Sequence, residues 1–157
     1  MPAPCASDVR GEAFASGTLD DRVAGLRSYA RGAAGRPVSL VVTDAVLSDA
    51  LRRQMVASGG PQLQDPAVVI RSEGIRISGT ATAAFFRFPI TATLVPEVSG
   101  GRLAFTVRDL QTGGLPRDQV EPALRQASDP ASWGLAMRVE AMILRSGCGI
   151  VRGTAQA

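Results

Sequence analysis

The chain has 157 residues, 45% of them hydrophobic and 20% charged, which is the composition of one globular domain large enough to bury a core. Its formal net charge is +3, and its basic residues are all arginine, since neither histidine nor lysine occurs. The arginines are scattered along the chain without interleaved aromatic residues, and this pattern argues against nucleic-acid binding.

Residues 1–17 are small and polar and show no apolar period. They predict a flexible leader, followed by a single domain over residues 18–157. The segment has neither the basic start nor the apolar centre of a signal peptide. No stretch of the chain approaches the ~18 apolar residues that a membrane-spanning helix needs.

A first helix is predicted over residues 19–33. Thr18 is placed as its N-cap, and Asp20 and Asp21 fall in its first turn, where carboxylates favour the helix dipole. The apolar residues of this segment recur at helical spacing, so one face of the helix is expected to be buried.

A short strand over residues 38–42 leads into the main helix, predicted over residues 44–58. Gly59-Gly60-Pro61 ends it. Because its apolar residues fall on one face, this helix is expected to cover a sheet. The apolar face consists of Val46, Leu47, Ala50, Leu51 and Met55.

From residue 66 onward the apolar period changes to two, which is typical of strands. A first hairpin is predicted with a two-residue turn at Glu73-Gly74. That turn sets Ile70 opposite Ile77, so that both apolar side chains lie on one face of the hairpin.

A second, longer hairpin is predicted with its turn at Gly100-Gly101. This turn pairs Val98 with Leu103 and also brings the remaining apolar positions of the two strands to the same face. Since a slip by one residue would expose one apolar set, the register should be well specified. The apolar face comprises Phe86, Phe88, Ile90, Ala92, Leu94 and Val98 on one strand, and Leu103, Phe105 and Val107 on the other.

A short helix over residues 117–127, which contains Pro122, and a final hairpin over residues 135–154 complete the prediction. The expected fold is therefore α+β. A curved antiparallel sheet of hairpins packs on the main helix over residues 44–58, with the shorter helices over residues 19–33 and 117–127 beside it.

Two cysteines, Cys5 and Cys148, are present. Two alternatives stay open for them: a disulfide formed in an oxidising compartment, or two unrelated thiols. Two thiols without any histidine do not make a structural zinc site, which requires four nitrogen or sulfur ligands. No metal ion or other cofactor is expected.

Catalytic chemistry is not expected either. Histidine, the commonest general base, is absent, and a serine or cysteine nucleophile has no lysine to activate it. The glycine pairs match no phosphate-binding loop. The acidic residues suggest no carboxylate pair of the glycosidase kind.

The apolar faces of the main helix and the long hairpin must cover each other, and two interpretations of their contact stay open. One is an ordinary closed core, and the other is a groove in which a strongly curved sheet wraps the helix incompletely and leaves room for an apolar ligand. The residues predicted to line such a groove are Val46, Leu47, Leu51, Met55, Phe86, Phe88, Ile90, Leu94, Phe105 and Val107.

The order of these parts resembles the YpmS-like and LmeA-like bacterial families over residues 38–127. The strand-to-helix segment of residues 39–51 carries the pattern Thr43-Asp44-x-x-Leu47-x-x-x-Leu51, and the strands of residues 68–79, 90–96 and 101–107 follow, with Gly113-Gly114-Leu115-Pro116 ahead of a helix. These families are extracytoplasmic, are usually membrane-anchored, include phospholipid binders and look related to the tubular lipid-binding folds. The resemblance implies no catalytic residue.

Two hypotheses for function follow. The resemblance implies a non-catalytic lipid-binding or apolar-ligand-binding module of the bacterial cell envelope, anchored through a segment absent from this chain, with a membrane surface as a further partner. The alternative is a structural or adaptor domain whose core is closed by its own helices and whose surface binds a protein. The oligomeric state stays open.

Overall fold

Two four-stranded sheets and the helices that connect them build this protein, seen here in a computed structural model that describes residues 3–58, 63–83 and 85–157. The helices in these ranges are α1 (Ala3–Ala6), α2 (Leu19–Ala33), α3 (Asp44–Ser58), α4 (Arg117–Ala127) and a 3-10 helix (Pro130–Trp133). The strands are β1 (Glu12–Phe14), β2 (Pro37–Thr43), β3 (Leu63–Arg71), β4 (Gly74–Ala83), β5 (Phe86–Ser99), β6 (Arg102–Gln111), β7 (Met137–Arg145) and β8 (Cys148–Ala155).

The α+β class is confirmed, and α2, α3 and α4 span the residues predicted for them. Local signals explain this agreement. Thr18 closes a capping box with Asp21 at the start of α2, in which each residue accepts a hydrogen bond from the backbone N–H of the other. The hydroxyl of Thr43 accepts a hydrogen bond from the backbone N–H of Val46 in the first turn of α3.

The strands are divided between two sheets, whereas the sequence predicts one curved sheet. The first sheet has the order β1-β2-β8-β7 and the second sheet has the order β3-β4-β5-β6. The split arises because β2 pairs antiparallel with the C-terminal strand β8, far away along the chain. Buried side chains of both sheets and of α2, α3 and α4 form one main core.

Residues 3–17, which lie in the segment predicted as a flexible leader, contain α1 and β1. Strand β1 pairs in parallel with β2 and so extends the first sheet. The ring of Phe14 packs edge-on against Tyr29 of α2, with the ring centroids 5.7 Å apart. Pairing with β2 supplies hydrogen-bond partners for backbone N–H and C=O groups of this segment, which no neighbouring residue in the chain pairs.

Both faces of β2 are covered. Val38, Leu40 and Val42 belong to the main core, whereas Val41 on the other face packs with the fully buried Cys5. The N-terminal segment therefore covers the face of the first sheet that α2 and α3 do not cover. A run of buried residues without alternation is the pattern of a strand covered on both sides.

The two long hairpins differ in how well the sequence predicts their register. The second hairpin has the predicted pairs, including Val98 with Leu103, across the turn at Gly100-Gly101. In the first hairpin the turn lies one residue earlier than predicted, and Ile70 pairs with Ile75. A shift of two in the pairing keeps every side chain on its predicted face, because side chains alternate with period two.

Helix α3 closes the free edge of β3. The hydroxyl of Ser48 accepts a hydrogen bond from the backbone N–H of Val68 at 2.9 Å, and a carboxylate oxygen of Asp44 accepts one from Ile70 at 2.8 Å. These bonds hold the helix along one side of the second sheet. They also satisfy donors that an edge strand otherwise leaves open.

Candidate functional site

A cavity of about 280 Å³ lies between the helices α2 and α3 and the second sheet. Its floor consists of aliphatic side chains from three neighbouring strands: Val68 of β3, Ile75 and Ile77 of β4, and Leu94 of β5. All four are nearly inaccessible to solvent from outside the protein. They meet because each strand turns its apolar set to the same face of the sheet.

The helical walls of the cavity are also mostly apolar. Leu19 and Val23 project from α2, and Leu47, Ala50 and Leu51 project from α3. Within each helix these residues are neighbours or lie three or four positions apart, and therefore share one face. Each helix turns that face towards the cavity. The floor and these stripes of the two helices therefore present aliphatic side chains to the cavity.

Two aromatic rings, together with Ser128 and Ser132, form the remaining wall. Phe105 of β6 and Trp133 of the 3-10 helix lie with their ring centroids 6.1 Å apart. The 3-10 helix is held by Asp129, whose carboxylate accepts a hydrogen bond from the backbone N–H of Ala131 at 3.0 Å. Gly134 ends it in the left-handed conformation with φ 65°.

Polar and charged side chains gather where the cavity opens. Asp20, Asp49 and Arg53 line this mouth, and the guanidinium of Arg53 lies 3.2 Å from the carboxylate of Asp49. The backbone N–H of Thr18 lowers the pKa of Asp21, next to Asp20, and the hydroxyl of Thr18 and the charge of Arg53 act in the same direction. The site therefore combines an apolar interior with a charged rim.

The structure brings four of the predicted groove residues to the cavity, namely Leu47, Leu51, Leu94 and Phe105. Ile90 is buried in the main core, and Val46, Phe88 and Val107 are partly buried against it. Phe86 is 67% exposed and lies outside the cavity. The side chain of Met55 is outside the described part of the chain. A role in ligand binding stays a prediction for all ten residues.

Several lining residues were not among those predicted from the sequence. Val68, Ile75 and Ile77 carry the same period-two signal as the second hairpin, and this signal places them on the helix-facing side of the sheet. Trp133 has no comparable signal, because it lies in a short 3-10 helix after Asp129-Pro130. Its position depends on the packing of that helix against β6.

A second structured region lies on the opposite face of the first sheet. Cys5 and Cys148 are joined by a disulfide that links α1 to the start of β8. Beside it, the carboxylate of Asp8 accepts two hydrogen bonds from the guanidinium of Arg145, at 2.9 and 3.1 Å. The structure thus resolves the alternatives for the two cysteines in favour of a covalent link, and the link fixes the N-terminal segment.

An aromatic pair is exposed at the tip of the β4–β5 hairpin. Phe85 is 99% exposed and Phe86 is 67% exposed. Among the described residues, the next most exposed large hydrophobic side chain is that of Val69, at 38%. The neighbouring Arg87 is exposed as well. This tip lies at the end of β5 opposite to the turn at Gly100-Gly101.

Within residues 3–58, 63–83 and 85–157, no three histidine, cysteine or acidic side chains are grouped so that they would hold a metal ion. In the same ranges, no helix is both long enough and apolar enough to cross a membrane. Compared with known proteins, the chain matches no protein-family model and no curated protein sequence.

Proposed function

We propose that this chain is a non-catalytic module that binds a lipid or another apolar ligand in the cavity between α2, α3 and the second sheet. The observation that carries the proposal is the composition of the cavity walls. Most of the lining side chains are aliphatic or aromatic, and the others are the charged Asp20, Asp49 and Arg53 and the uncharged polar Thr18, Gln54, Ser128 and Ser132. This arrangement is typical of pockets that bind apolar ligands and orient them by a few polar contacts.

The volume of the cavity supports binding over the alternative of a closed core. At about 280 Å³ it comes close to the range of about 300–1,000 Å³ that is typical of small-molecule pockets. Because the cavity opens to solvent, an apolar ligand that enters it would remove apolar wall surface from water.

The proposed compartment is extracytoplasmic, and specifically the bacterial cell envelope, as the resemblance to envelope families implies. The disulfide between Cys5 and Cys148 supports this proposal, because such bonds persist in oxidising compartments and are rare in the cytosol. Anchoring through a segment outside this chain is part of the same proposal.

The cavity proposal can be tested with the uncharged fluorophore N-phenyl-1-naphthylamine and with native mass spectrometry of the purified protein. We expect saturable fluorescence enhancement and a co-purifying lipid. Ala50 lines the cavity, so Ala50→Phe should fill part of it and weaken fluorophore binding about tenfold or more.

The matched control is Ala45→Phe, which places the same ring at an exposed position of the same helix and should leave binding unchanged. Thermal unfolding of both variants checks that they fold. Equal binding by Ala50→Phe and the wild-type protein, or no binding by the wild-type protein, would contradict the proposal.

The exposed pair Phe85 and Phe86 favours a second function, attachment to an anionic lipid bilayer. Aromatic side chains are enriched at membrane interfaces, and arginine is attracted to anionic headgroups. No acidic residue lies between Glu73 and Glu97, so nothing in this hairpin repels such a surface. Arg87 adds a positive charge directly beside the rings.

Co-sedimentation with vesicles of phosphatidylglycerol and phosphatidylcholine tests this attachment. The double variant Phe85→Ser/Phe86→Ser should lose most of the vesicle-bound fraction, because both rings are available for insertion. Val98→Ser, at the other end of β5 and 37% exposed, should bind like the wild-type protein. Equal sedimentation of all three proteins would argue instead for a different docking surface.

A further inference from the structure

The size of the cavity restricts the ligand to a single alkyl chain. Pockets for drug-sized ligands measure about 300–1,000 Å³, and this cavity, at about 280 Å³, lies just below that range. A phospholipid with two acyl chains needs a much larger space. The aliphatic floor and helical stripes fit a single alkyl chain whose head remains at the mouth.

The charged side chains at the mouth of the cavity restrict the charge of the ligand's head group. Asp20 and Asp49 line the mouth, and Asp21 lies in the same first turn of α2, whereas Arg53 is the one cation among the described residues that line the cavity. Arg53 is already paired with Asp49. The mouth is therefore acidic, although the chain as a whole carries a formal net charge of +3.

The N-terminus of α2 offsets this acidity only in part. The positive end of a helix dipole attracts anions through unpaired backbone N–H groups. In α2 the capping box already uses one of these groups, because the hydroxyl of Thr18 accepts a hydrogen bond from Asp21 N–H, and the carboxylate of Asp21 accepts one from Thr18 N–H. An anionic head would also meet the carboxylates of Asp20 and Asp49.

We infer that the cavity takes a single-chain amphiphile with a cationic head and discriminates against carboxylate and phosphate heads. The inference rests on the proposed function, since it names the ligand class of the same cavity. The apolar chain contributes affinity by burial against the floor of the second sheet, and the carboxylates at the mouth select the head by charge.

Competition experiments with three ligands of equal chain length test the selection. Decylamine, decanol and decanoate are titrated below their micelle concentrations at neutral pH against bound N-phenyl-1-naphthylamine. We expect decylamine to compete about five- to tenfold more strongly than decanoate, with decanol between them, because solvent-exposed charge pairs are individually weak. High salt should narrow the difference, because it screens charges at the mouth.

Asp49→Asn should strengthen decanoate binding, because it removes a carboxylate from the mouth and frees Arg53. Asp118→Asn, at an exposed position of α4 that does not line the cavity, should change nothing and serves as the control. Equal competition by all three ligands, or tightest binding of decanoate, would overturn the head-group inference and leave the cavity proposal standing. Failure of the fluorophore and all three ligands to bind would overturn both.

Discussion

Asp8 and Arg145 lie 137 positions apart in the chain and meet in a paired hydrogen bond on the outer face of the first sheet. The hydrogen bond from Arg145 lowers the pKa of Asp8 most, and the charges of Arg145, Arg152 and Arg10 act in the same direction against partial desolvation. The carbonyl of Asp8 also accepts a hydrogen bond from Arg152. Two arginines of the sheet, Arg145 and Arg152, thus hold this short segment.

The lowered pKa makes this contact dependent on pH. Its contribution is complete above the ordinary aspartate value of about 3.9 and is lost as the pH falls through the lower value of the folded state. Asp8→Asn should therefore unfold at a lower temperature than the wild-type protein at pH 7, with a smaller difference at pH 3. Thermal unfolding followed by circular dichroism across this range measures the effect.

Glu140→Gln is the control for that series, since Glu140 is exposed on β7. Its unfolding temperature should follow that of the wild-type protein at every pH. A constant difference between Asp8→Asn and the wild-type protein from pH 7 to pH 3 would show that charge pairing at Asp8 does not contribute.

At the scale of elements, α3 is attached to the edge of β3 by side chains rather than by apolar packing alone. Ser48→Ala removes the acceptor of the Val68 N–H and should lower the free energy of unfolding by about 1 kcal/mol. Hydrogen exchange at Val68 should accelerate more than at Ile70, whose N–H is bonded to Asp44. Ser28→Ala, on the exposed side of α2, is the matched control and should show neither effect.

The lengths of these elements explain why only some of the residues predicted to line a groove line the cavity. A 14-residue strand such as β5 is about 46 Å long, whereas a 15-residue helix such as α3 is about 22 Å long. A helix of this length can cover at most about half of such a strand. Leu94 lines the cavity, whereas Phe86, eight positions earlier on β5, is exposed.

At the scale of the whole molecule, the disulfide closes the chain almost from end to end. Cys5 and Cys148 are separated by 143 positions, and closing a loop of this length contributes about 5 kcal/mol in the chain-entropy account. The bond holds the N-terminal segment over Val41 and Ile150, which are both fully buried. Without it, that cover of the first sheet depends on β1 and on the contacts of Asp8.

Reduction should therefore destabilise the protein strongly. We expect the double variant Cys5→Ser/Cys148→Ser, and the wild-type protein in dithiothreitol, to unfold at clearly lower urea concentrations than the oxidised protein. The double variant should not respond to dithiothreitol, which controls for effects of the reagent. Identical transitions of the oxidised and reduced wild-type protein would contradict the assignment of this stabilising role.

The sequence by itself determined the features that depend on neighbours in the chain. The capping box at Thr18 and the stripe of α3 specify helices, and alternation around Gly100-Gly101 specifies a hairpin and its register. For the first hairpin, alternation specified the faces but not the pairing of Ile70, because a shift of two preserves every face.

Only the tertiary structure decided the features that depend on partners far away in the chain. These features are the pairing of β2 with β8, the docking of residues 3–14 and the position of Trp133. Each joins segments whose local sequence patterns do not indicate which segment they will contact. The cavity belongs to this group. Its apolar walls follow from local periodicity, but the space between them depends on how α2, α3 and the 3-10 helix are placed over the second sheet.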